Sequence, residues 1–109
     1  MATHPGAFEL AVLLAVMRLG DDAYGRRILG EVQARLDRQV SAGAVQITLG
    51  RLEQKGLLAS KLGAGTEVRA GRPRRYYSVA PAGQRALSEA HAASDSLWRG
   101  FKRHQKGIA

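Results

Sequence analysis

The side chains with chemistry to offer lie in two short stretches, SAGAVQITLGRLEQKGLL at 41–58 and GRPRRYYSVAPAG at 71–83. They carry hydroxyls, amides and guanidinium groups, whose chemistry is hydrogen bonding and charge pairing, above all with anions. In the first stretch Ser41 can accept from free backbone N–H groups, Val45, Leu49 and Leu52 recur at i, i+4 and i+7, and Gly56 supplies a stop. The spacing predicts a helix over 41–55 with one apolar face turned inward. Ala44, Gln46, Ile47, Gly50, Arg51, Gln54 and Lys55 are left on the remaining surface, a mixture of small, polar and basic residues that suits a major groove. An ordinary amphipathic core helix has the same pattern. The arginine-bearing stretch behind it is what moves the reading toward nucleic acid.

Charge is distributed to match. The net charge is +8, yet residues 1–50 hold five arginines and five acidic residues and so sum to zero. Residues 51–75 hold seven basic residues against Glu53 and Glu67, a surplus of five, and residues 76–109 add a surplus of three. A local basic field of this kind attracts polyanions, nucleic acid first and an anionic membrane surface second. Other chemistries find little support. His4, His91 and His104 are scattered, and no nucleophile–base–acid order or phosphate-cradling glycine loop is present. The chain is expected to be no enzyme and to need no metal or other cofactor. With no cysteine it can form no disulfide, which fits a cytoplasmic setting. Residues 10–17 are apolar but end at Arg18, far short of the ~20 residues that cross a bilayer, so a buried helix is expected and no membrane partner.

The elements that must position these groups follow from periodicity. AFELAVLLAVMRL, 7–19, is a helix apolar nearly all round, so it must be covered on more than one side; in a chain of 109 residues a second subunit is the natural cover. Gly20 ends it, and Asp21 or Asp22 can cap the next helix, from about Ala23 to Leu36, with Tyr24, Ile28, Val32 and Leu36 facing inward. After the 41–55 helix, 57–63 alternates as a strand, 64–74 is a loop, and 75–80 returns as a second strand with Tyr77 and Val79 on one face. Pro81 opens a last helix reaching roughly Lys102, along which Leu87, Ala90, Ser94, Leu97 and Phe101 form a near-heptad seam. The expected fold is mainly α (α+β): a winged helix-turn-helix of three helices and a two-stranded β-wing over 1–80, then a C-terminal dimerisation helix and basic tail over 81–109.

In that arrangement the start of the third helix, Ser41, Ala42, Gly43, Ala44, Gln46 and Ile47, approaches the base edges of double-stranded DNA while Arg51 and Lys55 meet phosphate. Arg69, Arg72, Arg74 and Arg75 bring charge to the wing, which Pro73 stiffens. Each arginine alone is as well explained as a solvated charge, but four within seven residues act together. Lys102, Arg103 and Lys106 extend the basic surface. Two alternatives use the same fold: a winged helix that binds structured or single-stranded RNA, and a protein-interaction module with no strong salt dependence.

FELAVLLAVMRLGDDAYG at 8–25, SAGAV at 41–45, LGRLEQKGLL at 49–58 and GRPRRYYSVAPAG at 71–83, in this order and followed by one terminal helix, resemble the PadR family of bacterial transcriptional regulators in its short form. The resemblance implies a homodimeric DNA-binding repressor on a pseudo-palindromic operator. It implies association through the last helix, here Leu87, Ala90, Ser94, Leu97 and Phe101; the first helix, apolar nearly all round, is expected to join that contact through Phe8, Leu10, Leu13, Leu14 and Met17. Gln46 stands where the family usually has tyrosine, and Ala80 where it usually has a capping threonine. The Gln46 amide can pair with adenine N6 and N7, so it offers a base contact of its own. Trp98 with Phe101 either packs within the seam, the commoner role of a buried aromatic, or forms a flat pocket for a small aromatic effector, as in some members of the family.

Overall fold

The computed structural model describes residues 5–63, 68–69 and 72–101. Helix α1 spans Ala7–Leu19, α2 Gly25–Leu36 and α3 Ala42–Gln54; strands β1 (Leu58–Leu62), β2 (Val68–Arg69), β3 (Arg72–Pro73) and β4 (Arg75–Val79) follow, and α4 (Pro81–Trp98) closes the order. This is the expected winged helix-turn-helix. Strand β1 pairs antiparallel with β4 from Leu58 opposite Val79 to Leu62 opposite Arg75, and β2 pairs with β3 through Val68–Pro73 and Arg69–Arg72. Part of the stretch expected as loop therefore continues the hairpin as a second, two-residue ribbon.

The three helices and the hairpin enclose one core. Val12, Leu13, Ala15 and Val16 of α1 meet Ile28 and Val32 of α2, Val45, Leu49 and Leu52 of α3, and Ala23, Leu58 and Tyr77. All the apolar positions that the i, i+4 and i+7 spacing turned inward on α3 are buried, and Tyr77 is the β4 residue on the buried face. Leu13 corrects one expectation. Expected among the partner-facing residues of α1, it is fully buried in the core of this chain. The large apolar residues that α1 leaves exposed are Leu14 and Met17, with Phe8 packed at the edge of the core.

Local signals explain most of the boundaries. Ser41 Oγ accepts from the Ala44 N–H at 3.0 Å, so α3 begins where its cap stands. Gly56 takes φ +78° behind its end, a left-handed turn that costs glycine no Cβ clash. Asp37 closes α2 in the left-handed region, and the Gln33 side-chain amide donates to the Val40 carbonyl at 2.8 Å across the turn into α3.

Two boundaries differ from expectation. Gly20–Asp22 form a 3-10 turn, and neither aspartate caps α2; its N-cap is Tyr24, with no side-chain cap bond. Tyr24 is held from elsewhere. It forms an isolated antiparallel bridge with Tyr76, while the Tyr77 N–H donates to the Ala23 carbonyl at 2.8 Å, so residues 23–24 lie along the free edge of the two-stranded sheet at β4. At the other end α4 stops at Trp98, with Arg99 extended and Gly100 at φ +82°. Phe101 thus lies beyond the helix that was expected to carry it, and Lys102, Arg103, His104 and Lys106 fall outside the described residues, as does His4.

The first turn of α4 is pressed against the hairpin. Ala80 caps the helix without a side-chain bond, but its N–H donates to the Leu57 carbonyl at 3.0 Å. Gly83 is buried there, and a Cβ built on it would stand 2.2 Å from that carbonyl oxygen. Beyond this anchor α4 leaves the body: residues 91–100 are exposed throughout, Leu97 and Trp98 included.

Candidate nucleic-acid interface

The outer face of α3 is open along its length. Ala42, Gly43, Gln46, Ile47, Gly50 and Arg51 are exposed, Ala44 is half-buried, and Ile47 is 62% exposed, unusual for an isoleucine at the centre of a helix. The Arg51 side chain makes no hydrogen bond or ion pair within the subunit among the described residues. Lys55, expected beside it on phosphate, has another engagement: its ammonium donates to both carboxylate oxygens of Glu9 at 3.0 and 3.3 Å. This pair ties the end of α3 to the start of α1. Its spacing of 46 residues left no trace in local sequence.

The root of the wing stands directly beside the start of α2. The Arg74 guanidinium lies 4.1 Å from the centre of the Tyr24 ring, which meets Tyr76 edge to face at 5.6 Å. A guanidinium over an aromatic face is held by the ring quadrupole and keeps its charge. Arg75 reaches across the hairpin to donate to Ser60 Oγ at 2.9 Å, and Ser60 donates in turn to Glu53 at 2.8 Å. Arg75 is therefore anchored to β1 while its side chain stays at the surface. The ribbon sets Arg69 opposite Arg72, which joins two of the four wing arginines at one level of the hairpin.

Between these elements lies a cleft of ≈390 Å³ lined by Tyr24, Gly25, Arg26, Gln46, Arg74, Arg75 and Tyr77. It gathers expected contacts from α3 and from the wing, together with Arg26, which the sequence reading did not single out. Only the fold brings the opening of α2 to the same place. Gly25 has a specific task there: a Cβ at this position would stand 2.8 Å from Gln46 Nε2, so the missing side chain leaves room for the amide. A larger hollow, ≈580 Å³, between Gly20–Asp21 and the strands β1 and β4 is lined by no residue of α3.

Away from this face, Glu31 on α2 accepts from Arg18 of α1 and from Arg35 one turn along. The Arg18 bond first, then the Arg35 bond, holds its carboxyl below the ordinary value of 4.5. Burial, with the Glu53 charge second, raises the Tyr77 phenol above 10.0. Of the residues expected at a subunit contact, Leu14, Met17, Ser94, Leu97 and Phe101 are exposed, while Phe8, Leu10, Leu87 and Ala90 are half-buried. Trp98 and Phe101 meet edge to face at 5.6 Å, each 50% exposed. Among the described residues no cluster of His, Asp or Glu could hold a metal ion, and no helix is long and apolar enough to cross a membrane.

The chain is similar to known proteins over most of this architecture. The family profile described as Transcriptional regulator PadR-like family matches residues 13–89. The transcriptional regulator Rv3488 of Mycobacterium tuberculosis is 44% identical over 61 residues, 56% of this chain and 53% of that protein, so the match spans about half the length of that relative. Among solved structures, a PadR family transcriptional regulator of Eggerthella lenta is 30% identical, with 84% of this chain and 76% of the other covered at a TM-score of 0.64. A PadR family regulator of Clostridium difficile R20291 superposes at a TM-score of 0.70 over 88% of this chain and 98% of its own. At 22% identity that last likeness speaks for the fold alone.

Proposed function

This chain belongs to the PadR-like family of transcriptional regulators, and from that premise we propose that it is a homodimeric repressor that binds a pseudo-palindromic DNA operator. The observation that carries the reading is the open face of α3, Gly43, Gln46, Ile47, Gly50 and Arg51, set beside a hairpin whose root holds Arg74 over Tyr24. The basic surplus of residues 51–75 falls on these same elements. Base edges meet the first two turns of α3, phosphates meet Arg51, and the wing arginines Arg69, Arg72, Arg74 and Arg75 add charge on the flank. Lys55 contributes to the field while paired with Glu9.

Residues up to Ala80 form the DNA-binding unit in this reading, and α4 with the exposed side of α1 forms the subunit contact. Leu14 and Met17 on α1, Leu97 and Trp98 on α4 and Phe101 just beyond it are the large apolar side chains left exposed there, and a second copy buries them. Trp98 and Phe101, half-exposed at the end of α4, are where a small aromatic effector would stack to release DNA. Quenching of Trp98 fluorescence by such compounds, in step with loss of DNA binding, tests that part.

Selection of bound sites from random duplex DNA tests the whole. The expected outcome is a pair of inverted half-sites about one turn, ~34 Å, apart. Affinity should fall steeply with salt, by ~10³ to 10⁵ between 50 and 200 mM if the dimer neutralises about 6–10 phosphates. No enrichment at low salt, or binding indifferent to salt, overturns the proposal in favour of a protein-interaction module.

A further inference from the structure

The exposed stripe of α3 has an unusual relief. Gly43 lies in the first turn of α3 and Gly50, seven residues on, in its interior, where a glycine costs about 1 kcal/mol relative to alanine. Nothing among the described residues requires them: a Cβ on Gly50 would meet no atom within 4 Å, and one on Gly43 only Ser41 Oγ at 4.0 Å. Between these low points rise the side chains of Gln46 and Ile47, three and four residues on from Gly43. Ile47 is apolar and 62% exposed, with no role in the core. Gln46 has its amide end over Gly25, at the rim of the cleft shared with Arg74.

We infer that Gln46 and Ile47 form a two-residue reader of adenine–thymine pairs at the centre of each half-site; this rests on the reading of the chain as a DNA-binding regulator. The Gln46 amide presents one donor and one acceptor side by side, the complement of adenine N7 and N6–H₂. Ile47 presents methyl groups, the complement of the thymine C5-methyl, which is the one apolar feature of the major groove. The absent side chains of Gly43 and Gly50 let the helix backbone approach the base edges on either side of the pair, the close approach that glycine permits. A guanine–cytosine pair would leave the Ile47 methyls without an apolar contact and set the Gln46 donor poorly against two acceptors.

Base analogues test this on the full-length protein. In a half-site obtained by selection, 7-deazaadenine removes the N7 acceptor and uracil removes the thymine methyl, each without altering charge. The wild-type chain should lose about fivefold or more in affinity for the first and about fourfold for the second. Gln46→Ala should abolish the 7-deazaadenine penalty and keep the uracil penalty; Ile47→Ala should do the reverse. Both positions are exposed, so the variants should melt as the wild type does. If the wild type binds duplex DNA with steep salt dependence but selects no adenine–thymine pair there, or if the variants keep both penalties, the reader is refuted and the DNA-binding reading survives. If the wild type binds no duplex at all, both fall together.

Discussion

Gly83 offers a sharp check on the packing of α4. Replacing it by alanine adds one methyl group, which would stand 2.2 Å from the Leu57 carbonyl oxygen and 2.8 Å from Val79 Cγ1. The nearest obstacle is backbone, and that carbonyl also accepts the Ala80 N–H, so it cannot yield without loosening the joint between hairpin and helix. Forcing a methyl into a close-packed site costs about 1–3 kcal/mol, and a contact this short belongs at the upper end. Alanine returns up to about 1 kcal/mol in helix propensity. The net is a loss of about 2 kcal/mol, which lowers Tm by roughly 8–16 °C at 4–8 °C per kcal/mol. Gly30→Ala is the control: Gly30 is exposed inside α2, and a Cβ there meets nothing within 4 Å. The same chemical change should stabilise the fold by about 0.5–1 kcal/mol. Thermal melts of both variants at one protein concentration decide the matter, since self-association would make Tm concentration-dependent. If Gly83→Ala raises Tm as Gly30→Ala does, α4 does not sit on Leu57 as described.

Two basic residues one turn apart on α3 should behave oppositely. Lys55→Ala breaks the pair with Glu9 and should cost about 0.5 kcal/mol of stability, the scale of a partly exposed ion pair, with little change in the salt slope of DNA binding. Arg51→Ala should leave Tm unchanged and reduce that slope by about one per subunit; melting curves and binding isotherms across salt separate the two. Acid should act through Glu31, whose carboxyl the Arg18 and Arg35 bonds hold below 4.5. A depressed carboxylate stabilises the folded state when ionised, so its contribution is complete above 4.5 and disappears as pH falls through the folded value. The difference in Tm between wild type and Glu31→Gln should therefore shrink with acidification, and a difference constant from pH 7 down through that range would count against the assignment.

Helices α1 and α3 were legible because their signals are local. The apolar run 7–19 ends at Gly20, and α3 lies between a serine whose hydroxyl caps it and a glycine with positive φ. The start of α2 was not legible, because what sets it is a bridge from Tyr24 to Tyr76 across 52 positions, which no window of neighbouring residues contains. Adjacent aspartates look like a cap until that bridge claims Ala23 and Tyr24. The end of α4 was overextended because the spacing of Leu97 and Phe101 continues a helical pattern that Gly100, at φ +82°, interrupts. For the interface, periodicity alone identified the exposed face of α3. The pairing of Lys55 with Glu9, the seat of Gln46 over Gly25 and the arrival of Arg26 at the cleft all depend on which helices become neighbours. Leu13 illustrates the same limit on α1: an all-apolar helix says that two sides are covered, but not which residue lies on which.

The bridge that Ala23 and Tyr24 make to β4 has a mechanical meaning. With the Tyr77 N–H bonded to Ala23 and the Tyr24 ring braced between Tyr76 and Arg74, the base of the hairpin is stitched to the residue immediately before α2. The hairpin root then cannot swing relative to the helical body without breaking that bridge. Its angle to α3 is set when the chain folds, so the proposed docking on a duplex would lose little further conformational freedom at this joint. In the proposed dimer, adjustment to the spacing of two half-sites would then fall to tilting of whole subunits about the protruding α4, with α3 and the hairpin turning together.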